Sequence, residues 1–190
     1  MPNWCYNTLR IKGPSAMLYK FQMDMIAVCG EGEYRHFSYS FCTPMPEEYR
    51  MTTSPTPQSE NEIREMAAAY NWEPGVLKGK LEYAMTDEQR AFYDSLIEKY
   101  GAENWYDWAN VNWGTKWDAD CPNPPVRTPR TLTYKFNSPW GPPYVFATRL
   151  ITKMKKDYPG LTYDWSYTLE GEYGKHTLFT HQDFLEAEVV

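Results

Sequence analysis

The chain has 190 residues, 42% hydrophobic and 17% aromatic, with 19 basic and 25 acidic side chains that leave a formal charge of −6. That length suits one well-buried core, and the acidic balance argues against a basic surface wrapped around a phosphate backbone while being too mild for a mimic of DNA. No run of about 18 apolar residues occurs, and the opening Met1-Pro2-Asn3-Trp4-Cys5 lacks the charged-then-apolar order of a secretory signal, so a cytoplasmic protein outside the membrane is expected.

Taken in chain order, Trp4 to Lys12 alternates Leu9 and Ile11 with Thr8, Arg10 and Lys12, the pattern of a first strand. Gly13-Pro14-Ser15 punctuates it, and Ser15 can cap a helix over 16–28 whose apolar stripe is Leu18, Phe21, Met25 and Val28, ended by Gly30 and Gly32. Phe37 to Phe41 alternates apolar and polar, which predicts a second, half-buried strand stopped by Pro44 and Pro46. Residues 51–58 are rich in Thr, Ser and Pro and read as a loop.

Two capping-box patterns follow. Ser59 with Glu62 opens a helix carrying Ile63, Met66, Ala67 and Tyr70, ended by Glu73-Pro74-Gly75; Thr86 with Gln89 opens another carrying Phe92, Leu96 and Ile97, with Gly101 as its cap. Trp105, Trp108 and Asn112 continue at helical spacing up to Gly114. Four prolines make 120–130 an extended connector, and 131–136 alternates Leu132, Tyr134 and Phe136 with Thr131, Thr133 and Lys135 as a strand. Pro142-Pro143 leads into a helix with Phe146, Leu150 and Met154 buried and Lys153, Lys155 and Lys156 in its last turns. Residues 161–169 alternate again, with Leu161, Tyr163, Trp165, Tyr167 and Leu169 on one side, and 176–180 adds a strand before a loosely held tail from Asp183.

Strand-helix-strand at each end with helices between predicts an α+β fold: a ferredoxin-like split βαβ antiparallel sheet with helices on one face. A single domain over 1–190 is expected, its two halves 1–44 and 128–190 separated by a helical insertion at 45–127.

Three segments carry a resemblance. They are Met1-Pro2-Asn3-Trp4-Cys5-Tyr6-Asn7, then Asn112-Trp113-Gly114-Thr115-Lys116-Trp117-Asp118, and Phe136 followed by Trp140, Pro142 and Pro143. With these the chain resembles the YubB-like family of small phage- and plasmid-encoded proteins with a ferredoxin-like domain, a family without an assigned function. The family reads Thr-Ala-Trp ahead of its Pro-Pro, and Ser138-Pro139-Trp140-Gly141 departs from that. The resemblance implies the ferredoxin-like topology and a mobile-element origin, and no iron or electron transfer.

Chemistry-bearing patterns are sparse. Cys5, Cys29, Cys42 and Cys121 are far apart, with no Cys-x-x-Cys pair and no histidine at ligand spacing, so reduced buried thiols are expected and neither a metal nor a cofactor. His36, His176 and His181 adjoin no nucleophile motif, which leaves Cys5 with a distant histidine as a pairing on paper only. Asp118 with Asp120, and Glu170 with Glu172, read as turn carboxylates rather than as acid–base pairs, and Gly171 to Gly174 lacks the elements of a phosphate loop.

Four of the eight tryptophans, Trp105, Trp108, Trp113 and Trp117, fall within 104–118. Trp113, Lys116, Trp117 and Asp118, with Trp140, form the candidate partner-binding set, because interface hot spots favour large aromatics. The same turn read as structure has Asp118 bonding backbone amides and Lys116 lying over an indole. The nucleic-acid alternative uses Arg149, Lys153, Lys155 and Lys156, with Lys135, as cations around Tyr163, Trp165 and Tyr167. The resulting expectation is a non-enzymatic protein that binds a host protein or complex, a stoichiometric inhibitor of a host defence nuclease complex among the options. A single-stranded nucleic-acid binder is the alternative, and a small nucleotide-binding protein the second.

Overall fold

The computed structural model describes residues 3–29 and 36–186. In chain order the elements are β1 (Trp4–Lys12), α1 (Ser15–Cys29), α2 (Glu60–Tyr70), α3 (Pro74–Leu81), α4 (Asp87–Tyr100), α5 (Trp105–Trp113), β2 (Val126–Arg127), β3 (Thr131–Pro139), α6 (Tyr144–Asp157), β4 (Thr162–Leu169), β5 (His176–Phe179) and α7 (His181–Glu186). They form two compact units, 1–44 together with 109–190, and 45–108, so the division falls within α5.

In the first unit β1 is the central strand of a five-stranded antiparallel sheet ordered β2-β3-β1-β4-β5. Its alternation sets the register. Leu9 lies opposite Tyr134 and Trp165, and Ile11 opposite Leu132 and Tyr163, so the apolar positions of three strands share one face. α1 and α6 cover that face: Phe21 meets Tyr134 at 6.4 Å between ring centroids, and Phe146 meets Trp165 at 6.2 Å. Full burial of a side chain of this size contributes about 1.5–3 kcal/mol. The other face carries Tyr6, Arg10 and Lys135 exposed to solvent.

The segment Phe37 to Phe41 is not a strand. Tyr39–Phe41 forms a 3-10 turn whose N-cap Ser38 accepts a hydrogen bond from the Ser40 N–H, and Asp118 binds the Tyr39 N–H. Phe37, Tyr39 and Phe41 are all buried, Phe37 stacking on Phe136 at 4.5 Å, so their spacing reflects a tight turn pressed into the core and not a two-sided sheet. The strand beside β3 is instead β2, two residues in the proline-rich connector.

The helix stripes also shift. In α1 Cys29 is buried and Val28 exposed; Gly30 and Gly32, expected to end the helix, lie outside the described residues. α6 buries Phe146, Leu150 and Met154 as its spacing requires. α7 occupies the stretch expected to be a loose tail, and Thr180 with Asp183 caps it reciprocally. Residues 187–190 lie outside the described residues.

The second unit is helical. Both capping boxes form, at Ser59 with Glu62 and Thr86 with Gln89, and Gly101 closes α4 at φ 75°. α4 buries Tyr93 and Leu96, leaving Phe92 half-buried and Ile97 exposed; in α2 Ile63 and Ala67 are buried while Tyr70 is exposed. α2 ends before Glu73-Pro74-Gly75 as its spacing requires, and Pro74 starts the further helix α3, where its missing N–H costs nothing. Tyr49, in a 3-10 turn at Glu47–Met51, anchors the unit through its hydroxyl to the Ala102 carbonyl at 2.8 Å. Among the described residues no helix is long and apolar enough to cross a membrane.

Candidate functional site

α5 ends at Trp113, and Gly114 reverses the chain at φ 78°, where a Cβ would stand 3.0 Å from the Val145 nitrogen. Only glycine fits that approach. The turn that follows carries Lys116 and Trp117 to the start of β1. The Lys116 ammonium lies 4.0 Å from the Trp117 ring centroid and 5.6 Å from that of Trp140, and Trp117 meets Trp4 at 6.3 Å. One cation is thus held between two indoles with a third alongside. Among the described residues no carboxylate forms an ion pair with Lys116.

Trp140 is 60% exposed and sits at φ 69°, a left-handed conformation that costs a bulky side chain about 1–2 kcal/mol. The surroundings hold it there: its N–H donates to the Asn3 carbonyl at 2.8 Å, and the Ser138 hydroxyl donates to the Gly141 carbonyl at 2.7 Å. Beneath the turn Asn7 joins three strands. Its Nδ2 donates to Ser138 Oγ at 2.8 Å, and its Oδ1 accepts from Trp165 Nε1 at 3.0 Å, both in the buried interior. Trp4 is fixed at the backbone, its N–H donating to Glu170 Oε2 at 2.7 Å while the Glu170 N–H donates to its carbonyl at 2.8 Å.

The candidate partner-binding residues therefore separate. Lys116 and Trp117 are half-buried and Trp140 is exposed, all three at one place. Trp113 is not a surface residue: it is buried, its Nε1 donates to the Thr43 carbonyl at 2.8 Å, and its ring lies 5.9 Å from that of Tyr39. Asp118 clamps the 37–41 turn, accepting from Ser38 Oγ and from the N–H groups of Tyr39 and Ala119 at 2.7 and 2.8 Å. Trp4, Asn7 and Ser138 were missed as site components. For Trp4 and Asn7 the available signal was their place in the opening segment singled out in the sequence, which meets Trp117 and Ser138 in space; nothing in the sequence marked Ser138.

The expected nucleic-acid residues do not form one free cationic surface. Arg149 is occupied by Thr43 Oγ1 at 2.7 Å and the Asn112 carbonyl at 2.9 Å, and Lys153 pairs with Asp157 at 2.9 Å while lying over Phe41. Lys155 is half-buried and Lys156 exposed. Tyr163 and Trp165 are fully buried, which removes them as stacking platforms, and Tyr167 stacks on His176 at 5.1 Å.

Cys5 is buried, and desolvation pushes its thiol up to about 11, away from the thiolate that a nucleophile requires. Glu172 pairs with His176 at 3.1 Å, and Asp120 accepts from Asn137 Nδ2 at 2.9 Å. Among the described residues no cluster of three or more His, Cys, Asp or Glu could hold a metal ion. No family model matches the chain, and neither does any curated protein or solved structure.

Proposed function

We propose that the chain is a non-enzymatic binding protein whose contact surface centres on Trp140, Lys116 and Trp117. The observation that carries this reading is Trp140: a large indole held exposed, in a backbone conformation that disfavours it, beside an ammonium without a carboxylate partner among the described residues. Strain of this kind persists where the surroundings over-determine it, as they do at contact and ligand sites, and a pre-positioned tryptophan beside a cation has the make-up of an interface hot spot. We read the first unit as a ferredoxin-like body. Supporting this, β2-β3-β1-β4 has the order of a split βαβ pair, with α1 between β1 and β2, α6 between β3 and β4, and β5 added at the edge. The resemblance to phage and plasmid proteins directs the search to a host protein, a defence nuclease complex among the candidates.

Trp140→Gly tests the reading, because glycine suits the left-handed site and removes the indole. The expected outcome is a melting temperature within about 3 °C of the parent, with partner affinity reduced about 30-fold or more in a binding assay on the complex captured from a bacterial host lysate. A partner retained equally by the Trp140→Gly and Lys116→Gln variants, or none retained at micromolar concentration, overturns it.

A further inference from the structure

α1 is apolar on two sides. Its buried stripe is Leu18, Phe21, Met25 and Cys29, and Phe21 faces inward, meeting Phe41 at 5.2 Å and Tyr134 at 6.4 Å between ring centroids. The outward side carries Ala16, Tyr19, Met23 and Ile26, whose steps of three, four and three residues are those of the a and d positions of a heptad. All four are exposed, Tyr19 by 52%, Met23 by 36% and Ile26 by 38%. Arg127 holds the Tyr19 ring at the surface, its guanidinium 5.2 Å from the ring centroid and donating to Ser15 Oγ at 3.2 Å. Lys20 and Asp24, the only charged residues of the helix, pair with each other at 2.7 Å on its flank beside Tyr158. A helix that is apolar all round is ordinarily buried all round, and here one side is open.

We propose that this side pairs with α1 of a second copy of the chain, the two helices running antiparallel about a two-fold axis level with residue 21. In that register the stripe is its own complement. Ala16 falls opposite Ile26 of the second copy, small against large, and Tyr19 opposite Met23, a thioether against an aromatic ring. The same pairing sets the N-terminus of each helix beside the C-terminus of the other. α1 has no acidic residue in its first turn and no basic one in its last, so its own charges leave its dipole uncompensated and the antiparallel copy opposes it. Because Lys20 and Asp24 neutralise each other, the seam sets no net charge against its copy, although each chain carries −6. Such a seam runs about 15 Å and buries less than the roughly 800 Å² per partner of a standard interface. The dimer is therefore weak, with a Kd of about 10–100 µM.

Sedimentation velocity of the full chain from about 5 to 300 µM tests this, since mass action should carry the mean mass from 22.4 kDa toward twice that value. Raising salt from about 50 to 500 mM, which screens repulsion between the copies, should strengthen the association. Met23→Glu, which sets a carboxylate against the apolar seam, should weaken it about thirtyfold or more, with a circular dichroism melt that matches the parent. The register has its own readout. A short bis-maleimide should join Ala16→Cys chains to Ile26→Cys chains and leave Ala16→Cys chains alone unjoined, because the two copies of position 16 lie about 15 Å apart along the seam; the parent chain gives the background from native thiols. A monomer up to about 300 µM, an association that weakens with salt, a Met23→Glu variant that dimerises as the parent does, or Ala16→Cys chains joined to one another overturns the proposal. Trp140→Gly alters the other surface and should leave the association unchanged, so either reading can fail alone.

Discussion

A single carboxylate decides the shape of the 37–41 segment. Asp118 stands 80 positions from Ser38 and accepts from its hydroxyl, from the Tyr39 N–H and from the Ala119 N–H. Nothing local to 37–41 announces that clamp, which is why alternation alone suggests a strand there. Hydrogen bonds to an ionised group contribute about 1.5–3 kcal/mol each, less when half-exposed. Asp118→Ala should therefore destabilise the protein by about 2–3 kcal/mol and lower the melting temperature by about 4–10 °C. Asp118→Asn, which keeps one acceptor oxygen, should fall between. An Asp118→Ala variant that melts with the parent would show that the clamp carries no net stability. Trp113 teaches the same lesson as Asp118, since its type suited an interface and its buried hydrogen bond to Thr43 commits it to the interior.

At the scale of elements, strands were more legible than helix faces. β1, β3 and β4 alternate with period two and pair in register with their apolar positions aligned, so each strand's burial follows from its own sequence. A helical stripe can rotate by one residue without changing its period, as Tyr93 replacing Phe92 in α4 and Cys29 replacing Val28 in α1 illustrate. α3 buries no residue and contains Gly79, whose Cβ position meets open space. Gly79→Ala should stabilise the protein by up to about 1 kcal/mol through helix propensity and a less free unfolded chain. Gly13→Ala should do the opposite, by about 2–4 kcal/mol, because at φ 155° its Cβ would meet the Gly160 carbonyl oxygen at 2.6 Å. Urea midpoints of the two variants check both signs; a stabilised Gly13→Ala would refute the close approach at the end of β1.

For the molecule as a whole, burial of thiols ties stability to alkaline pH. Desolvation pushes Cys5 up to about 11, and Cys42 and Cys121 up to about 12, from 9.0 for a free thiol. Tyr134 and Tyr163 are raised for the same reason. A group whose pKa is raised by folding holds its proton more tightly in the native state. The stability it contributes is thus fully present below about pH 9 and is lost as pH rises through the folded value. Urea midpoints should fall from about pH 9 to about pH 11, and the buried thiols should react with a disulfide reagent at about pH 8 only after unfolding. Rapid labelling of Cys5 or Cys121 in the native protein would contradict their burial.

What the sequence determined by itself is the set of features written in short periods: the strand alternation, the capping boxes at Ser59 and Thr86, the helix stop at Gly101, and the mixed α+β character that follows. Only the tertiary structure brought Trp4, Lys116, Trp117 and Trp140 together. The reason is one of range. Periods of two and of three to four residues reflect backbone geometry that any short segment carries. The bond from Asn7 to Ser138, 131 positions apart, exists only once burial of the sheet has closed the chain between them.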